Sequence, residues 1–581
     1  MTPRFHQDPV QSEQRLLSRL TRIVLALAAL WALTLNLVDP DLWGHIRYGQ
    51  DYLATGELPP TATYTFAAAD TPWINHENLA ELCLATGYRY LGTVGLLTAK
   101  CLIGLGILLA MVWSARRQGV HWFAAWTAML LVAANLHPFF LLRPQLFSFA
   151  FCTLVLLLLE VSFSDWEKGQ QFRWQPLALL PLVFAVWANT HGGFAAGLCI
   201  VTVYLLARTA QIFAQQNPSR RRQAAISKSA VLIGITLSCS AATLATPYGV
   251  DLHRWLLQSL SQPRPEITEW AAPSLRHIAF WPWIALLVAS ALSLLFTRKQ
   301  RDWVKVSILA LVAWQSALHM RHIAFFALLC GFWLPVHVHS AVSRIGFNFT
   351  LTPWLRRTAV VALLVGTGFL SFAIDRQLKS LPVPRNAYPL DAVQFMVDRG
   401  LQGKLVVSFN WAQYAIAALA PDVQVGFDGR FRSCYPQAVV DIHFDFLLGE
   451  FGGHRNRSPS SGPIEAAGAL QYGSPDLVLL DRHYPNAVNT MQQNTEWVLL
   501  FRDRVAEIWG RSRRYDNPLS AHYFPMAFRI QDPRPRNGEI EWPALPTREQ
   551  STHLANQNNL PRQMTNSKIP KSERTQRENR G

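Results

Sequence analysis

Eleven stretches of the chain are apolar over roughly the length that a helix needs to cross about 30 Å of hydrocarbon, where the backbone must satisfy its own hydrogen bonds. They lie near 21–38, 92–115, 122–136, 144–163, 176–189, 193–214, 229–245, 277–296, 303–318, 323–338 and 358–374. The pattern predicts a polytopic α-helical membrane protein of about eleven spans, the fifth short and Pro-flanked. No small-x-small cleavage site follows the first stretch, which therefore reads as a retained anchor. A long polar segment, 39–91, makes a large first external loop. Past residue 375 the period changes: 388–400 and 411–420 have helical spacing, whereas 404–409, 423–427, 476–480, 497–502 and 505–509 read as strands. The last two form an expected hairpin around Asp503, and 376–510 is predicted to be a small α/β domain. From 511 the chain is basic and rich in Pro, Asn and Gln, and disorder is expected after about Arg529. The expected organisation is an N-terminal segment 1–20, a transmembrane module 21–375, an α/β domain 376–510 and a largely disordered tail 511–581.

Charge sharpens the division. The 53 Lys and Arg against 37 Asp and Glu give +16, yet charged residues are only 15% of the chain, against about 25% in ordinary soluble domains. Residues 1–375 hold 45 of them (12%) and the remaining 206 residues the other 45 (22%). Only the last third can cover a water-facing surface, which excludes a single soluble globule and a fibrous or disordered chain. With the N-terminus in the cytoplasm, the cytoplasmic segments carry 19 Lys and Arg. The opposite side carries seven: Arg47, Arg89, Arg143, Arg254, Arg264, Arg276 and Arg321. This bias predicts a multi-pass inner-membrane protein with its C-terminal domain outside the cytoplasm. The positive charge is thus a topology signal, and no nucleic-acid partner is expected. Seven cysteines without a C-x-x-C pair indicate neither a disulfide framework nor a zinc knuckle.

The ionisable residues with no topology role gather at the extracytoplasmic helix ends: Asp39, Asp41, His45, His76, Glu77, His137, Arg143, His191, Glu266, Glu269, His319, Arg321 and His322. Groups so costly near lipid normally face a bundle interior or an aqueous cavity and mark function. In Asp39-Pro-Asp-Leu-Trp-Gly-His45, Asp39 is placed as an N-cap with Pro40 in the first helical position. Asp41 and His45 then fall on one helix face. A carboxylate beside an imidazole suits general-base work, and two carboxylates two residues apart can grip a divalent cation. Capping alone would also account for Asp39. Trp73-Ile-Asn-His-Glu77 opens a further helix with Asn75 as its cap; it is not a zincin motif, because Ala80 stands where the second His belongs. Arg143 and Arg321 are bidentate donors fit for a phosphate, or for lipid headgroups by snorkelling. His191-Gly192-Gly193 reads as a tight turn, Phe427-Asp428-Gly429-Arg430 as a turn after a strand, and Lys100, mid-span, has no assignable role.

Asp39-Pro40-Asp41-Leu42-Trp43-x-His45, Gly56-x-Leu58-Pro59 and Trp73-x-x-His76-Glu77-x-Leu79 together resemble the first external loop of polytopic bacterial proteins related to the GT-C glycosyltransferases. Arg143-Pro144-Gln145, Trp187-Ala-Asn189-x-His191-Gly192-Gly193, Pro247-Tyr248-Gly249, Arg321-His322, Asn410-Trp411 and Asp428-Gly429-Arg430 are similar to later signposts of that group. The resemblance covers about 20–510. It implies inverting transfer of a sugar from a polyprenyl-phosphate carrier in the membrane lipid to a glycan, lipid or protein acceptor on the extracytoplasmic face. Under it Asp41, or Asp39 beside it, is the base or metal ligand. His45, His76, Glu77, His191 and His322 line the substrate site, and Arg143 and Arg321 hold phosphate. Two other classes compete: a non-catalytic scaffold whose distal domain binds an envelope partner, and a transporter, which would want charges near the midplane.

Overall fold

The computed structural model describes residues 9–167, 171–214, 222–344, 352–450 and 457–547. Each of the eleven apolar stretches lies on helix: α1 (Pro9–Thr34), α3 (Asn78–Arg117), α4 (Trp122–Leu136), α5 (Gln145–Ser162), α7 (Leu180–Ala188), α8 (Phe194–Ala214), α9 (Arg222–Ala242), α11 (Trp281–Phe296), α12 (Trp303–Leu318), the pair α13 (Ile323–Trp333) and α14 (Pro335–Val342), and α15 (Pro353–Lys379). Between them stand α2 (Leu42–Thr55), α6 (Trp174–Leu177) and α10 (Val250–Leu260). Among the described residues seven helices are long and apolar enough to cross a bilayer, and an eighth if the pair bent by 60° at Pro335 is one span. The bend has a plain cause, since a proline ring cannot continue the preceding turn. The bundle interior is closed by residues such as Leu33, Met111, Phe149, Trp187 and Phe326. Outside, α15 exposes Val361, Val365 and Phe369 by 60–66%, an apolar face suited to lipid. The chain is a multi-pass membrane protein.

At Gly92 (φ 63°, ψ −166°) α3 breaks, a backbone conformation open to glycine and strained elsewhere. Residues 78–91 run through the loop region, and the span begins at Gly92, the boundary expected from hydropathy.

The distal part follows α15 through β1 (Pro382–Pro384). Its main sheet uses β2 (Gly403–Val407), β3 (Val423–Val425), β4 (Leu477–Asp481), β5 (Trp497–Arg502), β6 (Ala506–Arg511) and β7 (Ile530–Gln531), in the order β3-β2-β4-β6-β5-β7. β2 is parallel to β3 and β4, whereas β6 is antiparallel to β4 and β5. Alternate side chains face opposite layers: Leu405, Val407, Leu477 and Leu479 join α16 (Leu390–Asp398) and α17 (Ala412–Leu419). Val406, Val478 and Leu480 join α18 (Gln437–Leu448) and α20 (Pro485–Gln493). Both faces are covered, which is why the central strands read as unbroken apolar runs. All five expected strands are present; α18 and α20 were not anticipated.

Two expectations change. The first external loop and the distal domain are not separate bodies. Val425 N–H donates to Tyr64 O (2.9 Å) and Phe66 N–H to Val425 O (3.1 Å), lengthening the sheet at β3, while Leu42, Trp43 and Leu84 enter the core beneath α16 and α17. Nor does disorder begin at Arg529. β8 (Glu539–Glu541) pairs with β1, and Trp542 is buried against Trp43 and Tyr88. Trp43 Nε1–H donates to Pro543 O (2.8 Å) and the Tyr414 hydroxyl to Ala544 O (2.7 Å). The polar composition misled because a single tryptophan and a few backbone acceptors suffice to seat the segment. Residues 548–581 lie outside the described residues.

Candidate active site

The site begins where α1 stops. Lys100 Nζ donates to Leu35 O (2.8 Å) and Asn36 Oδ1 (3.3 Å), and His137 Nδ1–H donates to Ala32 O (2.9 Å). These groups satisfy carbonyls that a helix C-terminus leaves orphaned. That is the role of Lys100 which the sequence did not reveal, and it takes His137 out of the site.

Asp39 follows at once. Its Oδ1 accepts the Asp41 N–H (2.9 Å), an Asx-type turn, and α2 begins at Leu42 with Asp41 as its N-cap residue, two positions later than expected. The Asp41 side chain makes no capping bond. It faces Arg143 instead, whose Nη2 lies 2.8 Å from Asp41 Oδ2, with Nη1 3.4 Å from Asp39 Oδ2 and 3.1 Å from Glu269 Oε1. Asp39 is 3% exposed, while the Asp41 side chain keeps 23%. Burial pushes Asp39 up to about 6 against the pull of Arg143, and burial raises Asp41 too. Burial works against the charge on Arg143, but Asp39, Asp41 and Glu269 outweigh it and hold the guanidinium ionised. Arg143, expected at a phosphate, is thus bound within the protein by three carboxylates. With a guanidinium between them, Asp39 and Asp41 are also poorly arranged for a divalent cation.

His45 does not pair with Asp41 as its spacing suggested. Its Nδ1 lies 3.2 Å from Glu81 Oε1, and the other Glu81 oxygen accepts from Asn75 Nδ2 (2.7 Å). Burial disfavours the imidazolium, yet the Glu81 hydrogen bond and the charges of Glu77 and Glu81 lift His45 to about 9. Glu81 was missed, although Glu77-x-x-x-Glu81 places both carboxylates on one helix face. Glu77 Oε1 stands 3.9 Å from His76 Nε2 and 3.7 Å from His191 Nε2. Burial raises its pKa, but His76, His45 and Arg143 more than compensate, and Glu77 is held low. His191 Nδ1 accepts from Gly193 N–H (3.0 Å) and faces Ser148 Oγ (2.8 Å), which itself accepts from Trp187 Nε1–H (2.7 Å). The ring proton therefore sits on Nε2, towards Glu77, and burial keeps His191 neutral down to about 3. A Cβ on Gly193 would reach within 2.5 Å of Ser148 Oγ, so the Gly192-Gly193 turn also serves this relay.

Arg321 lies 4.6 Å above the Trp270 ring, with Arg264 4.8 Å from the same ring. Among the described residues Arg321 makes no hydrogen bond or ion pair. His319 Nδ1–H donates to Trp270 O (2.7 Å), and His322 packs on His319 rather than on the carboxylates.

The distal domain closes over this cluster. Gly429 presses on Asp41 so closely that a Cβ there would strike Oδ1, and Gly44 is equally tight against Gln413. Tyr48 OH donates to Gln413 Oε1 (2.9 Å). Asp428 fixes the loop: it takes Arg430 Nη2 at 2.7 Å and the Tyr435 hydroxyl at 2.6 Å, and Arg430 lies over Trp73. The segment that reads as a turn is the roof of the site.

No family model matches the chain, and no curated protein matches its sequence. Solved structures do. The Archaeoglobus fulgidus oligosaccharyltransferase aligns with TM-score 0.50 and 11% identity over 85% of this chain and 75% of that one. ArnT from Cupriavidus metallidurans, bound to undecaprenyl phosphate, aligns with TM-score 0.50 and 11% identity over 88% and 99%. The arabinofuranosyltransferase AftD from mycobacteria gives 0.46 and 14% over 86% and 40%. The chain has a GT-C-like fold, the fold of membrane glycosyltransferases.

Proposed function

We propose that the protein is an integral membrane glycosyltransferase that moves a sugar from a polyprenyl-phosphate carrier to an acceptor on the extracytoplasmic face, with Asp41 as general base. The observation that carries this reading is the Asp41 carboxylate, partly exposed, uncommitted to capping and held by Arg143 beneath the Gly429 loop. In the reaction an acceptor hydroxyl attacks the anomeric carbon as the bond from that carbon to the phosphate oxygen breaks. Asp41 takes the hydroxyl proton, and the carrier phosphate departs with its negative charge. Burial raises the Asp41 pKa and so strengthens it as a base, while Arg143 pulls the other way and favours the carboxylate, the balance that general-base catalysis needs. Arg321, which forms no ion pair among the described residues and lies over Trp270, is the group to receive the phosphate. Asp39 is a positioning residue, its carboxylate ordering the turn that presents Asp41. In this reading the N-terminus is cytoplasmic, the lipid tail lies along the bundle, and the distal domain shares the site.

The likeness to an oligosaccharyltransferase and to a protein solved with undecaprenyl phosphate supports a lipid-linked donor. The test is transfer by the purified full chain in liposomes containing a radiolabelled polyprenyl-phosphate sugar and envelope extract as acceptor. Label should leave the lipid fraction for the acceptor, and Arg321→Gln should raise the donor concentration required by about tenfold or more. Label that stays on the lipid with every acceptor fraction would refute the reading.

A further inference from the structure

The end of the bundle opposite the candidate active site carries cations that the fold leaves without counter-ions. Arg15, Arg19 and Arg22 of α1 follow at i,i+4 and i,i+3 spacing and form one stripe, with Glu13 on the other side of the helix. Like charges so spaced oppose the helix. Among the described residues Arg15 and Arg19 make no hydrogen bond or ion pair. Arg22 donates to Ser18 Oγ (3.1 Å) and lies 4.7 Å over the Trp122 ring. An open hollow of about 460 Å³ is lined by this stripe.

Neighbouring elements bring more positive charge to the same level. The His121 ring, at the start of α4, is pushed below its ordinary range by burial and then by the charges of His339, Arg116 and Arg22. Cations of α14, α3 and α1 therefore converge there. α15 runs parallel to α1: a Cβ on Gly366 would lie 3.8 Å from Val24 Cγ2, and Asn36 N–H donates to Gln377 Oε1 (3.3 Å). That register brings Arg356 and Arg357 to the depth of Arg15. Nε and Nη1 of Arg356 are buried without a partner, and a cation so near a helix N-terminus meets the positive end of its dipole. Each of these placements is relieved by an anion.

What borders the stripe points to the source of that anion. Leu16 and Ile23 stand beside the arginines, 45% and 43% exposed, and Phe123 is 50% exposed next to Trp122. Exposed apolar side chains beside arginines, with a tryptophan at the same level, suit a molecule that has both a phosphate and hydrocarbon chains. We propose that Arg15, Arg19 and Arg22, with Arg356, hold the headgroup of an anionic phospholipid, and hold one with two phosphodiesters more tightly than one with a single phosphodiester. Guanidinium forks match phosphate oxygens bidentately. In the orientation proposed above this lipid belongs to the cytoplasmic leaflet. The site is read by lipid binding and not by sugar transfer, so its failure is distinguishable from failure of the transferase reading.

The full chain, purified in detergent and delipidated, is titrated with cardiolipin, phosphatidylglycerol or phosphatidylcholine, and bound lipid is counted by native mass spectrometry. Affinity should fall in that order. Arg15→Gln combined with Arg19→Gln should weaken cardiolipin binding about tenfold or more, while Arg173→Gln combined with Lys228→Gln, the same loss of charge elsewhere on that side, should change it by less than about twofold. Equal affinity for phosphatidylcholine overturns the proposal. So does an equal loss in the two double variants, which would reduce the stripe to a topology signal. Displacement of cardiolipin by inorganic phosphate overturns it as well, assigning the stripe to a soluble anion. Should the Arg15 and Arg19 variant fail to insert, phenylglyoxal modification of the wild type decides: cardiolipin should protect Arg15 and Arg19, and unprotected arginines would overturn the site.

Discussion

Arg143 Nη2 lies 2.8 Å from Asp41 Oδ2, and the same guanidinium reaches Asp39 and Glu269. One half-buried cation thereby holds three carboxylates, of which only Asp39 is fully buried, and the fork geometry of arginine is what permits it. Arg143→Lys keeps the charge but cannot span all three. Since Arg143 lowers the pKa of both aspartates, weakening it must raise them further. A base works only when deprotonated, so the acid limb of the pH–rate profile should move to higher pH in Arg143→Lys, with maximal rate reduced less than the rate at pH 6. A limb left in place would separate Arg143 from the base.

Gly429→Ala tests whether the distal domain belongs to the site. Its Cβ would collide with Asp41 Oδ1, so Asp41 or the loop must shift. Transfer should fall by about 10²-fold, the usual consequence of a displacement near 1 Å at reacting groups. Membrane insertion and expression should be unchanged. Full activity in this variant would place the loop away from the chemistry.

Truncation after residue 547 should be silent, whereas truncation after Arg529 removes Trp542 and the acceptors for Trp43 and Tyr414. Loss of a fully buried tryptophan costs about 3–5 kcal/mol. The shorter protein should unfold at clearly lower temperature and be cut by protease within 376–510. Equal stability of the two truncations would contradict the packing.

His443 is 4% exposed, stacks on Phe427 at 4.6 Å, and burial pulls its pKa down to about 3 against the charge of Asp428. The unfolded chain protonates this ring near pH 6.5. Its contribution to stability is therefore complete above about 6.5 and is lost as the pH falls towards 3, by up to about 1.4 kcal/mol per unit. The thermal midpoint of the full chain should fall between pH 7 and 5, and less steeply in His443→Phe. Parallel slopes would contradict the assignment.

The membrane helices and the central strands were legible because each is an unbroken apolar run of characteristic length, and Gly92 marks a break that sequence and backbone share. The site was legible by side but not by pairing. Asp41 and His45 have helical spacing, yet the helix starts at Leu42 and His45 meets Glu81 across to the next helix. Which carboxylate an imidazole meets depends on how two helices pack, and no short-range pattern encodes that. Arg143 reads as a phosphate ligand until the fold brings Glu269, 126 positions away, onto its other side. Trp542 was invisible for the same reason: its partners Trp43 and Tyr88 lie more than 400 residues upstream.

The most direct measurement is sugar transfer by Asp41→Asn in the full-length protein, alongside its thermal midpoint. The substitution preserves shape and removes the base, so the rate should fall by about 10²–10⁴-fold with the midpoint within a few degrees of wild type. Undiminished transfer by Asp41→Asn would contradict the account. If that variant also supported function fully while deletion of 388–510 abolished it, the chain would be a membrane scaffold and not an enzyme.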